Sequence, residues 1–109
     1  MVGPDENLWF AESNVNKVGR ITTAGVFTEF SVGTYVPDIA SGPDGNLWFT
    51  EYSANKIGRI TTAGVVTEFT IPTASSGPYG IAAGPDGNLW FTENSSNKIG
   101  RITTAWVVT

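Results

Sequence analysis

The chain has 109 residues, no cysteine and no histidine, and ten acidic residues against six basic ones give it a net charge of -4. No disulfide, thiolate metal site or imidazole base can be built from it. Nucleic acid and anionic membrane surfaces are not expected as partners, since both require a basic face. Charged residues make up only 15% and glycine occurs 13 times, which together with many Thr and Val points to a sheet protein with frequent tight turns.

In chain order, Met1 to Asp5 has neither the basic start nor the apolar stretch of a signal peptide. No apolar run approaches the roughly 20 residues that cross a bilayer, so the default expectation is the cytoplasm. Gly3 to Thr28 then reads GPDENLWFAESNVNKVGRITTAGVFT and returns as GPDGNLWFTEYSANKIGRITTAGVVT from Gly42 and as GPDGNLWFTENSSNKIGRITTAWVVT from Gly84. The second and third copies agree at 23 of 26 positions and the first and second at 19 of 26. A period near 40 residues marks a repeat architecture, and no window carries apolar residues at helical spacing without a Gly, Pro or Thr-rich break.

Each unit reads as four short strands, a to d. Strand a is Gly80 to Ala83, b is Asn88 to Glu93, c is Lys98 to Thr103, and d is Val65 to Ile71. Pro85-Asp86-Gly87 turns a into b, with Pro presetting φ and Gly supplying φ > 0. Glu6 stands where the other copies have Gly, and a different or less ordered turn is expected there because Glu at φ > 0 is strained. Asn97 is the αL residue of the b–c turn. Leu89 and Phe91 share one face of strand b with Trp90 on the other, as in a strand buried on both sides.

Four antiparallel strands per repeat is the unit of a β-propeller blade. The fold class is therefore all-β: propeller blades forming an incomplete ring that homo-oligomerisation closes. Residues 1–33 form a first blade lacking its innermost strand, 34–75 a second, and 76–109 a third with a truncated last strand. Three blades cannot close, and closed rings have about four to eight. A homodimer of six blades is the preferred partner arrangement and a homotrimer the second. Trp106 replaces the turn glycine of the other copies and is expected to pack as an end cap.

The string GPDGNLWFTE…NKIGRITTAGVVTEFTIP…GPYGIAAGPDGNLWFTE closely resembles the repeats of streptogramin lyases, the virginiamycin B lyase-like propellers. The resemblance covers Gly3 to Phe30, Gly42 to Pro72 and Pro78 to Thr109. It implies a seven-bladed ring in full-length enzymes and a Mg²⁺-assisted elimination that opens a cyclic depsipeptide, with a histidine base and acidic residues around a central funnel. This chain offers only the repeat carboxylates Glu12, Glu51 and Glu93 in strand b and Glu29 and Glu68 in strand d. Without a base, catalysis is not carried over. No cofactor is expected, Mg²⁺ entering through the resemblance alone.

Glu51 and Glu93 are weak metal candidates, and the competing reading is a cross-strand pair with Lys56 or Lys98. Arg20, Arg59 and Arg101 either clamp an anion or lie along the blade face, bonded to neighbouring carbonyls. Trp9, Trp48 and Trp90 are read as packing between blades. Tyr35, Tyr52 and Tyr79 sit where the repeats vary, on loops, and are the candidate ligand residues. The reading that follows is a non-catalytic, self-assembling propeller fragment. Its rivals are a lyase-like enzyme fragment and a lectin-like binding propeller.

Overall fold

A computed structural model describes residues 3–12, 15–105 and 107–108. The described residues hold ten strands and no helix. The first sheet runs β1 (Leu8–Glu12), β2 (Lys17–Ile21), β3 (Phe27–Ser31). The second has four strands, β4 (Ile39–Ser41), β5 (Leu47–Glu51), β6 (Lys56–Ile60) and β7 (Val66–Thr70). The third comprises β8 (Pro78–Ala83), β9 (Leu89–Glu93) and β10 (Lys98–Ile102). All pairings are antiparallel between sequence neighbours, the meander of a propeller blade. A strand d in the third sheet is reduced to one bridge, Ile102 to Val108. Trp106, read as an end cap, lies outside the described residues.

The repeats keep one register: Leu8 faces Ile21, Leu47 faces Ile60 and Leu89 faces Ile102. The turns explain why. In each c–d hairpin a threonine hydroxyl (Thr22, Thr61, Thr103) accepts the amide of the residue four further on at 3.1 Å. Asn16, Asn55 and Asn97 close the b–c turns at φ 58°, 56° and 55°, the left-handed region that asparagine tolerates. At the a–b turn the expectation for Glu6 is corrected. It adopts φ 66°, close to the 79° of Gly45 and Gly87, and its amide bonds Gly3 O at 3.0 Å as Gly45 N bonds Gly42 O at 3.4 Å. The flanking hairpin bonds impose the turn in spite of the side chain.

The three sheets stack into a slab of 41 × 30 × 19 Å. Between the first two lie Trp9, Val18, Val36, Leu47, Phe49 and Ile60. Between the second and third lie Trp48, Ile57, Ala40, Leu89, Phe91 and Ile102. Each blade thus presents its tryptophan face to the leucine-phenylalanine face of the next. Strand c carries glycine at its centre because the phenylalanine ring lies across it: a Cβ at Gly58 would overlap Phe49. The outward faces of the first and third sheets have no blade against them.

Candidate functional site

Three features repeat or converge in a way that could serve function: the blade joints, the carboxyl groups ending strand b, and the loop tyrosines.

At the joints the tryptophans differ by position. Trp9 and Trp48 are fully buried, whereas Trp90, on the open face of the third sheet, is 39% exposed. Ile57 is fully buried and its counterpart Ile99 is 69% exposed. On the opposite open face Leu8 is 48% and Phe27 66% exposed, while Leu47 and Leu89 are buried. The open faces are therefore the two unmated halves of a joint that the chain makes twice internally. Polar ties accompany the apolar contact. Arg20 Nη1 donates to Thr62 O of the next blade at 2.8 Å, Thr50 Oγ1 to Tyr79 O at 2.7 Å, and Ile81 N to Asp38 Oδ2 at 3.0 Å.

Sequence reasoning missed the role of the turn aspartate. Asp5, Asp44 and Asp86 each accept the indole N–H of the tryptophan four residues on, at 2.9, 3.0 and 3.0 Å. Each also accepts the amide of the intervening asparagine and lies within 4.0 Å of the strand-c arginine. That arginine stacks over the tryptophan ring at 5.5 to 5.8 Å. The Asp-x-x-x-Trp spacing was the available signal: in a tight hairpin it returns the indole over its own turn. Hydrogen bonds, with that from Trp90 foremost, hold the Asp86 carboxyl below its usual range.

The carboxyl groups are arranged differently from the expected cross-strand pairs. Glu51 and Lys56 are opposite in register, yet the lysine reaches strand d, with Lys56 Nζ 3.9 Å from Glu68 and Lys17 Nζ 3.8 Å from Glu29. Glu51 is fully buried, and neither of its carboxyl oxygens has a hydrogen-bond partner among the described residues. Burial, followed by the neighbouring Glu68 carboxyl, pushes Glu51 up to about 9. It is neutral at pH 7. Glu12 is raised as well, chiefly through its contact with Glu29. Glu93 is 5% exposed. Among the described residues no three acidic side chains converge.

The tyrosines come together although they belong to different repeats. Tyr35 follows the first blade, Tyr52 caps β5, and Tyr79 lies in β8. Tyr35 and Tyr52 meet edge to face at 6.2 Å, as do Tyr52 and Tyr79 at 6.3 Å. The adjacent Tyr79 hydroxyl raises Tyr35. Beside them runs a groove of about 250 Å³ lined by Tyr52, Ser53, Asn55, Ser75, Gly77 and Ser95.

The stacked antiparallel meanders of three and four strands with tryptophan joints define the protein class: blade repeats of the β-propeller kind. The model of the virginiamycin B lyase family matches residues 1–109, and the chain belongs to that family. It is similar to selenomethionine-substituted virginiamycin B lyase from Staphylococcus aureus, with 50% identity and a TM-score of 0.97 over all of this chain and 38% of that one. The same values hold for a catalytically inactive histidine-to-alanine variant of that lyase with quinupristin. A streptogramin B lyase structure matches at 45% identity and a TM-score of 0.93, covering 99% of this chain and 37% of that one. The chain thus spans about 38% of the length of the lyases it matches. No curated protein sequence gives a significant match.

Proposed function

We propose that this chain is a non-catalytic blade module that closes a propeller with copies of itself, the tryptophan face of one copy seating on the leucine-phenylalanine face of the next. The observation that carries this is the identity of the open halves with the internal joints: Trp90 and Ile99 stand where Trp48 and Ile57 are buried, and Leu8 stands where Leu47 is. Exposed apolar faces of this kind on a soluble protein mark interaction surfaces. A heterologous joint that repeats at a constant rotation closes into a ring. Three sheets per chain give six blades for two copies, within the common range of about four to eight. Light scattering across a concentration series tests it. A monodisperse dimer is expected. A trimer would keep the joint and revise the ring, and a stable monomer at high concentration would overturn the reading.

The residue content supports the non-catalytic reading. A histidine-to-alanine variant of the relative is catalytically inactive, and this chain has no histidine. Family membership favours a second reading, in which these blades serve lyase chemistry inside a larger ring. Incubating the chain with quinupristin and Mg²⁺ separates the two by chromatography. An unchanged substrate is expected, and ring opening would establish the second reading.

A further inference from the structure

We propose that the groove beside Tyr52 is a binding site for one neutral sugar ring, built within a single copy between the second and third blades. The repeats agree almost everywhere, yet the residues here are where they part. Tyr52 corresponds to Ser13 and Asn94, and Tyr79 to Pro37. With Tyr35, these substitutions set two phenol rings against that of Tyr52, while the joints on either side keep their common residues. Tyr52 is 38% exposed and Tyr79 45%, so the cluster is a supported surface rather than part of the core.

The groove is rigid before any ligand arrives. Asn55 Nδ2 donates to Ile71 O at 3.2 Å and Thr73 O at 3.0 Å, and its Oδ1 accepts Ser76 N at 2.9 Å and Ser76 Oγ at 2.6 Å. On the other bank, Asn94 N bonds Gly77 O and Ser95 N bonds Ser76 O, both at 3.0 Å. The loop between the blades is thereby clamped to the b–c turn of each. Within it Ser75 is held at φ 52°, a left-handed conformation that costs a serine energy and persists only where its surroundings impose it.

The lining chemistry selects the ligand. None of the lining residues is charged. The hydroxyls of Ser53, Ser75 and Ser95 hydrogen-bond to no protein group among the described residues. A phenol ring braced by two others offers an electron-rich face of fixed orientation. The C–H face of a pyranose fits against such a ring, while its hydroxyls exchange bonds with serines on both banks. At about 250 Å³ the groove lies below the roughly 300–1,000 Å³ of sites for drug-sized ligands, which restricts it to one ring.

Saturation-transfer NMR with a panel of methyl glucoside, galactoside, mannoside and N-acetylglucosamine tests the site, with glycerol as the control. Transfer to at least one sugar is expected, with amide shifts confined to Tyr52, Ser53, Ser75, Gly77 and Ser95. Tyr52→Ala should weaken that binding about tenfold or more. Ser75→Gly keeps the positive φ while removing a hydroxyl, and should weaken it about threefold to tenfold with folding intact. Silence across the panel, transfer to glycerol equal to that of the sugars, or binding indifferent to both substitutions would overturn the proposal. Self-association plays no part in the site, so a chain found monomeric by light scattering could still bind.

Discussion

The strands β5 and β9 have the same five residues, Leu-Trp-Phe-Thr-Glu, and opposite fates. All five are buried in the second blade, whereas in the third only Leu89, Phe91 and Glu93 are. Local sequence sets the hairpin, its register and the side on which each residue points. Burial is set by the next blade along, which β5 has on both faces and β9 on one. Stability in a stacked repeat is accordingly a property of joints as much as of units, and identical substitutions in the two blades should read out the difference.

The largest contrast is expected at tryptophan. Trp48→Ala should destabilise the chain by about 3–5 kcal/mol, since the side chain is fully buried and stacked on Phe69 at 5.8 Å. Trp90→Ala should cost clearly less in dilute solution and should approach the Trp48 value as concentration rises and copies associate. Urea titrations at two protein concentrations make the comparison. Equal effects in dilute solution would mean that burial does not govern the joint.

A second contrast is sharpened by pH. Glu51 has a folded pKa raised to about 9 from the ordinary 4.5, so the folded state holds a proton that the unfolded chain releases. The stability it contributes is fully present below about pH 4.5 and declines as pH rises toward about 9. Glu51→Gln removes that decline. The variant should gain at least about 4 °C in Tm at pH 8, corresponding to roughly 1 kcal/mol in a domain of this size, and little at pH 4. A matching gain at both pH values would locate the effect in packing rather than protonation.

Much of this was legible in the residues. The repeat, the turn chemistry and the alternation of strand b define blades, and the count of strands leaves open faces. What escaped was set by three-dimensional neighbours. The lysine opposite Glu51 in register pairs with Glu68 instead, because strand d runs alongside strand c on its other edge. Tyr35 and Tyr52 lie outside the strands and Tyr79 in β8, yet their rings meet, and no pairwise spacing encodes that. Asp44 could have been placed by spacing, yet a turn aspartate has a sufficient local role in bonding Asn46 N, at 3.3 Å, and its bond to the Trp48 indole is visible only when the hairpin is folded.

That aspartate supplies the third test. Asp44→Ala strands the indole N–H of a fully buried tryptophan and should cost about 1–3 kcal/mol. At Asp86 the partner Trp90 is partly exposed, so water can replace the carboxylate and the loss should be smaller. Thermal melts of the two variants side by side measure the difference. If the losses match, the hydrogen bond acts through the turn and not through the buried ring.

The smallest expected effect is at the first blade's turn, and its sign is the informative part. Gly45 and Gly87 occupy φ 79° without strain, and Glu6 is held at φ 66° in the same hairpin. A non-glycine residue in that region carries roughly 1–2 kcal/mol of steric strain. Glycine in its place relieves this but widens the unfolded ensemble, which takes back about 0.4–1 kcal/mol. Glu6→Gly should therefore stabilise the chain by about 1 kcal/mol or less, whereas Gly45→Glu in the second blade should destabilise it by a similar amount. Opposite signs from these reciprocal exchanges, read in one urea series, would show that the hairpin dictates its backbone and the residue accommodates. A loss on Glu6→Gly would instead mean that the glutamate side chain makes a contribution exceeding the strain of its own backbone.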